Sequence, residues 1–282
     1  MTPRTLIFCR ENAQLGNRLI VYAHLLAAAR ERGWKLVNPT FEPYADWFVG
    51  TQLRPHGRSM TAVRWAWQVG KLIAPFTCGR LARARARGTA EVNLQVTLPS
   101  AEAQNARWLL LQGFRIRCPE WTARHAVGLR DFFTPVDAHR LPAEARIAEL
   151  RARAHVIVGV HVRQGDYAQH LGGRYFYTID QYARFMTNMR ALLVPRTVAF
   201  LVCTHVPLPT EPLSGLTWAA GPGSAAADLH ALSCCDYLLG PPSSFSAWAA
   251  FHGDRPLLHI EDPQAAWSLA DFQRPLAPDI LH

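Results

Sequence analysis

The segment Val156-Ile157-Val158-Gly159-Val160-His161-Val162 constrains this chain more than any other. A strand with one wet face alternates apolar and polar residues. An unbroken apolar run belongs to a strand covered on both faces, as in a parallel sheet between helical layers. Val198–Cys203 has the same character. Between the two, Ile179, Tyr182, Met186, Met189 and Leu193 recur at helical spacing. Further on, a strand at Leu216–Ala219, a helix at Ala225–Cys234, a strand at Tyr237–Gly240, a helix at Phe245–Phe251 and a strand at Pro256–Ile260 follow in turn. Strands alternating with helices predict an α/β fold with a parallel sheet.

The opening repeats the pattern. Thr5–Cys9 reads as a strand, Arg10–Gly16 as a turn, and Leu15, Leu19, Tyr22, Leu26 and Ala29 as an amphipathic helix ending near Gly33. Trp34–Val37, Trp108–Leu111 and Phe114–Ile116 supply further strand material. The expected layout is an N-terminal domain over residues 1–134 with an insertion at about 47–90. A Pro-punctuated connector spans 135–154, and a C-terminal domain spans 155–282. No apolar run reaches membrane-spanning length, and the N-terminus lacks a signal-peptide layout, so the expectation is a cytoplasmic enzyme. The six cysteines lack zinc spacing and read as reduced, mostly buried thiols.

Charge is uneven. Residues 1–150 carry 21 Lys/Arg against 11 Asp/Glu, while residues 151–282 carry 9 against 10. From Trp47 to Ala90 there are eight basic residues and no acidic one. Such a surplus suits nucleic acid, an anionic membrane surface or an anionic substrate. Trp47, Trp65 and Trp67 followed by Arg80, Arg83, Arg85 and Arg87 read either as an interfacial segment on anionic lipid or as a basic insertion with its tryptophans in the core.

Three segments carry chemistry. His161-Val162-Arg163-Gln164-Gly165-Asp166-Tyr167 lies at the carboxyl end of a buried strand, where open α/β sheets bind ligands. An arginine there can fork onto two phosphate oxygens, or it can simply pair with a carboxylate at the sheet edge. Asp228 begins a helix and could face a guanine edge or serve as a plain helix-start carboxylate. After the next strand, Ser243, Ser244, Phe245 and Ser246 open another helix, and Ser243, Ser244 and Ser246 suit the capping of an anion-binding N-terminus. Gln14-Leu15-Gly16-Asn17-Arg18 opens the first helix, with Gly16 allowing close approach and Asn17 and Arg18 offering donors.

Taken in order, these segments resemble the superfamily of fucosyltransferases that use GDP-fucose, and above all its α-1,2 branch, glycosyltransferase family 11. LGNRLIVYAHLLAAAR (15–30), HVRQGDY (161–167) and DLHALSCCDYLLGPPSSFSAWAAF (228–251) carry the likeness, which covers roughly 15–40 and 155–260. The resemblance implies a GT-B-type fold, two Rossmann-like domains facing across a cleft. It implies an inverting, metal-independent transfer of L-fucose to a glycan acceptor, and the interfacial reading of segment 47–90 would suit a lipid-linked one. It would place Arg163 on the β-phosphate, His161 and Asp228 at the guanine, Ser243 and Ser244 on the phosphates, and Asn17 and Arg18 near the transferred sugar, with Gly16 among the donor-binding residues. Phe245 belongs to the matched donor block. No DxD triplet is present, which agrees with a metal-free donor site. Two departures stand out: Cys203-Thr204-His205-Val206 replaces an Asp-rich turn, and Arg18 stands where many relatives have Gln.

An inverting transfer also needs a base for the acceptor hydroxyl, and Asp166 and His170 follow the arginine on the same loop. Asp166 equally suits a turn-capping role, and His170 a solvated loop histidine. The rival readings are a transferase using another nucleotide sugar and a non-catalytic basic protein that binds nucleic acid. The second has no zinc-finger, RRM or basic-zipper signature behind it, so the expected partners exclude nucleic acid. They include the GDP-sugar, the acceptor and an anionic surface at the inner face of a membrane.

Overall fold

The computed structural model describes residues 4–9, 14–52, 65, 68–69, 72–73, 76–77, 80–86, 91–113 and 115–279, apart from the side chains of Ala101, Glu102 and Asp166. The chain divides into two compact units, Met1–Thr134 and Pro135–His282.

In the first unit, β1 (Thr5–Phe8) leads to α1 (Leu15–Arg32) and then β2 (Lys35–Val37). α1 stops at Gly33, whose N–H bonds the carbonyls of Ala29 and Arg30. β3 (Leu81–Arg85), β4 (Val92–Asn93), β5 (Trp108–Gln112) and β6 (Ile116–Arg117) follow. The main sheet has the order β2-β1-β5-β3, all parallel, and β4 pairs with β6 apart from it. The strand expected around 114–116 is thus β6, outside the main sheet; Phe114 lies outside the described residues.

The Arg-Ala alternation, unplaced from sequence, forms the edge strand β3. Ala82 and the following Ala86 are buried while Arg83 and Arg85 are exposed, a period of two with alanine as the inward residue. Arginines on an edge strand also disfavour pairing with a further strand. Much of the rest of segment 47–90 lies outside the described residues, Trp67 and Arg87 included. Of its tryptophans, Trp47 packs edge-on to Tyr44 and Trp65 is exposed.

The second unit begins with α2 (Asp137–Arg151), so the expected connector is a helix packed against that unit's own strands and helices. Then come β7 (Val156–His161), α3 (Ile179–Leu192), β8 (Val198–Cys203), β9 (Trp218–Ala220), α4 (Ala225–Ser233), β10 (Tyr237–Gly240), α5 (Ser244–Gly253) and β11 (Leu257–His259). The sheet order is β11-β10-β7-β8-β9, every pair parallel. Counted from its own first strand this is the doubly wound 3-2-1-4-5 order. The chain runs outward one way through β8 and β9, then returns to the other side of β7 with β10.

Every residue of β7 and β8 is buried. Val156, Val158, Val160 and Val162 pack with Phe200 and Val202 against Tyr182, Phe185, Met186 and Met189 of α3. On the opposite face Gly159 leaves room for Leu232, Cys235 and Leu238, each of which a Cβ there would crowd. Each large side chain buried this way contributes about 1.5–3 kcal/mol. The core thereby fixes where β7 ends, and with it the loop that follows.

Candidate functional site

The crevice of a doubly wound sheet opens where strand order reverses, at the carboxyl ends of the two strands flanking the reversal. In the second unit those are β7 and β10. His161-Val162-Arg163 leaves the first and Pro241-Pro242-Ser243-Ser244-Phe245 leaves the second.

His161 is buried, with its ring 5.0 Å from that of Phe245. Its Nδ1 is buried without a hydrogen-bond partner among the described residues. Burial first, then the charge of Arg163 and neighbouring His205 and His259, lowers its pKa to about 3. The ring is therefore neutral at physiological pH and offers one donor and one acceptor. Gly240 approaches this strand so closely that a Cβ would lie 2.7 Å from the His161 carbonyl oxygen.

Arg163 is positioned from two sides. Its N–H donates to the Tyr182 hydroxyl on α3 at 3.1 Å, and its guanidinium lies 4.9 Å from the centre of the Tyr167 ring. Tyr167 in turn donates to the carbonyl of Pro242 at 2.9 Å, joining the two loops of the crevice. The loop turns at Gly165, whose φ of 63° falls in the left-handed region and where a Cβ would meet His205 Nε2 at 2.7 Å. Asp166 sits in the short turn Gly165–Ala168, with its side chain outside the described residues. His170 is exposed, its ring 5.1 Å from that of Tyr167.

The Ser-rich turn is an N-terminal cap. Ser243 Oγ accepts the N–H of Phe245 at 3.2 Å, and Ser246 Oγ donates to the Ser243 carbonyl at 3.0 Å. Ser244 is the first residue of α5, at the positive end of that helix. Guanidinium and helix N-terminus thus bracket one side of the reversal, an arrangement that suits a diphosphate.

Asp228, in the first turn of α4, is buried and accepts the N–H of Gly223 at 2.8 Å. Burial raises its pKa, and the Gly223 hydrogen bond opposes the rise. One carboxylate oxygen therefore holds the turn before its helix.

In the first unit, Gly16, Asn17 and Arg18 occupy the first turn of α1. Asn17 Oδ1 is buried without a hydrogen-bond partner among the described residues. Arg18 donates to the carbonyl of Thr40 and lies 5.3 Å from the Tyr44 ring centre, so it is anchored in its own unit.

Sequence reasoning missed four contributors: Tyr167 and Tyr182, which hold Arg163, and His205 and His259, which add charge near His161. Tyr167 was visible only as the last letter of a motif. The two histidines follow or end strands β8 and β11 and become neighbours only through the sheet order. Among the described residues, no group of three or more His, Cys, Asp or Glu could hold a metal ion.

Comparison with known proteins follows this geometry. The family model described as Glycosyl transferase family 11 matches residues 122–265, just over half the chain. No curated protein sequence matches. Among solved structures, a mutant of Arabidopsis thaliana FUT1 in complex with GDP is similar at 14% identity and TM-score 0.61, over 92% of this chain and 70% of that one. POFUT1 in complex with GDP is similar at 13% identity and TM-score 0.54, over 89% of this chain and 95% of that one. POFUT1 with GDP-fucose gives the same values. At such identities the likeness shows a shared fold. The expected α/β, GT-B-type fold with Rossmann-like parallel sheets is borne out.

Proposed function

This chain belongs to glycosyl transferase family 11, and from that premise we propose that it moves an L-fucosyl group from GDP-fucose to a hydroxyl of a glycan acceptor. As a glycosyltransferase it needs a donor site, and one observation carries the assignment of that site. Arg163 and the N-terminus of α5 converge at the strand-order reversal of the second sheet, linked by the Tyr167–Pro242 hydrogen bond. Solved structures of similar fold include complexes with GDP and with GDP-fucose, which supports the same donor class.

In this reading the acceptor oxygen attacks the anomeric carbon as the bond to the β-phosphate oxygen breaks, with inversion. The electron pair leaves with GDP, whose growing charge meets the Arg163 guanidinium and the N–H groups that open α5. Interactions that strengthen as charge develops accelerate the step. The neutral ring of His161 and the second oxygen of Asp228 face the guanine, and Phe245 packs against His161. Asn17 and Arg18 serve the transferred sugar. Asp166 or His170 takes the acceptor proton. No metal enters the step, and the acceptor is a surface polysaccharide or lipid-linked glycan.

A different GDP-sugar is the reading to test against, because Arg18 and the Cys203–Val206 turn depart from the pattern of relatives. Thermal shift with GDP, GDP-fucose and other GDP-sugars separates the two, since a true donor stabilises by mass action. The proposal requires GDP-fucose to stabilise most and its turnover to survive EDTA. The anomeric proton of the product must report inversion. Preferential stabilisation by another GDP-sugar, or loss of turnover in EDTA, would replace it.

A further inference from the structure

The sheet of the first unit has its own reversal of strand order. In β2-β1-β5-β3, β2 lies to one side of β1, and the later strands β5 and β3 lie to the other. β1 and β5 are parallel with Phe8 opposite Leu111, so Cys9 and Gln112 are the next residues outward at their carboxyl ends. α1 leaves β1 and leads to the parallel β2, so its first turn, with Asn17, stands at that same end. Open α/β sheets take their ligands at such a place. Gly113 fixes where β5 stops: its φ of 133° suits glycine, and a Cβ there would lie 2.5 Å from that of Ala86.

Asn17 and Gln112 share a second property. Oδ1 of Asn17 and Oε1 of Gln112 are buried, and neither has a hydrogen-bond partner among the described residues. Buried polar oxygens are normally paired, and leaving one alone is costly. In the second unit the orphaned Nδ1 of His161 marks the corresponding place, where β7 meets β10. The groups present define what would satisfy the two amides. Their carbonyl oxygens accept hydrogens and repel the oxygens of a phosphate or carboxylate. Burial pushes the Cys9 thiol up to about 12, so it stays neutral beside them. Arg18, the cation of the same helical turn, is engaged by the Thr40 carbonyl and the Tyr44 ring. An uncharged ligand rich in hydroxyl groups fits this set, because a hydroxyl both gives and takes hydrogen and so meets an amide at either end.

We propose that the carboxyl edge of the first sheet, between β1 and β5, binds the hydroxyl groups of an uncharged sugar, with Gln112 as a binding residue beside Asn17. The site lies wholly in the first unit and does not depend on which nucleotide sugar the second unit takes. Two sugars share this chemistry, that of the acceptor and the one being transferred. The backbone of Gln112 is held independently of its side chain, since its carbonyl accepts the N–H of Ala86 at 2.9 Å. The amide is therefore open to substitution without loosening β5 from β3.

The test is saturation-transfer NMR on the whole chain with D-glucose, D-galactose, D-mannose and L-fucose, each alone and with saturating GDP, and with GDP-fucose. In the parent, one or more of these sugars, or the fucosyl group of GDP-fucose, should contact the protein. Gln112→Leu and Asn17→Ala should each weaken that contact about two- to tenfold, the loss of one hydrogen bond. Gln112→Leu should keep its affinity for GDP, and its thermal midpoint should hold or rise, because leucine removes a buried unpaired oxygen. Free-sugar contact that persists under saturating GDP supports the site as the acceptor's. Contact confined to the fucosyl group of GDP-fucose supports it as that of the transferred sugar. No sugar contact in the parent overturns the proposal, as does sugar contact that Gln112→Leu leaves unchanged. A fall in both thermal midpoint and GDP affinity in Gln112→Leu also overturns it, since the amide would then be structural. Failure of GDP-fucose to bind counts against the donor reading alone, because the free sugars still report on this crevice.

Discussion

The Tyr167 hydroxyl donates to the carbonyl oxygen of Pro242 across 75 positions of sequence, at 2.9 Å. It ties the loop that carries Arg163 to the turn that opens α5. Tyr167→Phe keeps the ring under the guanidinium and removes only this tie. A hydrogen bond of this kind contributes about 0.5–1.5 kcal/mol, so GDP affinity should fall about two- to tenfold with the fold intact. Isothermal titration with GDP checks it, and unchanged affinity would show that the two loops keep their places without the bond.

Gly240→Ala probes the other contact between the two strands. The added Cβ would lie 2.7 Å from the His161 carbonyl, a backbone atom that cannot step aside. Overpacking of this order costs about 1–3 kcal/mol, which lowers the thermal midpoint by a few degrees in a chain of this size. Differential scanning calorimetry reads it. An unshifted midpoint would mean that β7 and β10 part more easily than their pairing suggests.

His161 sets a pH dependence with a definite sign. Its folded pKa of about 3 lies below the ordinary histidine value. Between roughly 6.5 and 3 the unfolded chain therefore binds a proton that the folded chain refuses. Stability from this residue is present above that window and is lost as pH falls through it, by about 1.4 kcal/mol per pH unit. Asp228, with its raised pKa, opposes the fall at the acid end. Denaturant titrations from pH 7 to 4 should show a shallower fall in His161→Gln than in the parent, which is the flag for this residue alone, whereas parallel curves would contradict the assignment (the slope being on the order of one proton).

Asn17 offers a case where stability and function should separate. Its Oδ1 is buried without a partner among the described residues, a condition that costs about 1–3 kcal/mol. Asn17→Ala should raise the thermal midpoint while lowering turnover and leaving GDP affinity unchanged. A variant that is more stable and fully active would remove Asn17 from the transfer step.

Much of this architecture was legible because buried parallel strands write unbroken apolar runs, as in β7 and β8. β3 was not legible. Its inward residues are alanines, which are poor strand formers, and the eye follows the arginines between them. The site divides the same way. His161, Arg163 and Ser243 announce themselves through position after a strand or before a helix. His205 and His259 act through the sheet order, which places distant strand ends side by side, and Tyr182 through the packing of α3 on that sheet; none of the three leaves a local trace. Phe245 was carried by its motif, and its packing on His161 emerged only from the fold.

The central claim is that the Arg163 guanidinium, set against the Tyr167 ring on a backbone tied to the Tyr182 hydroxyl, stabilises the departing diphosphate. Steady-state turnover of GDP-fucose by Arg163→Ala and Arg163→Lys tests it directly. Loss of transition-state charge stabilisation should cost Arg163→Ala on the order of 10²–10³ in kcat/KM. Lysine keeps the charge but lacks the two-pronged geometry, so it should recover only part of that loss. Wild-type kcat/KM in the alanine variant, with the protein folded, would contradict the claim.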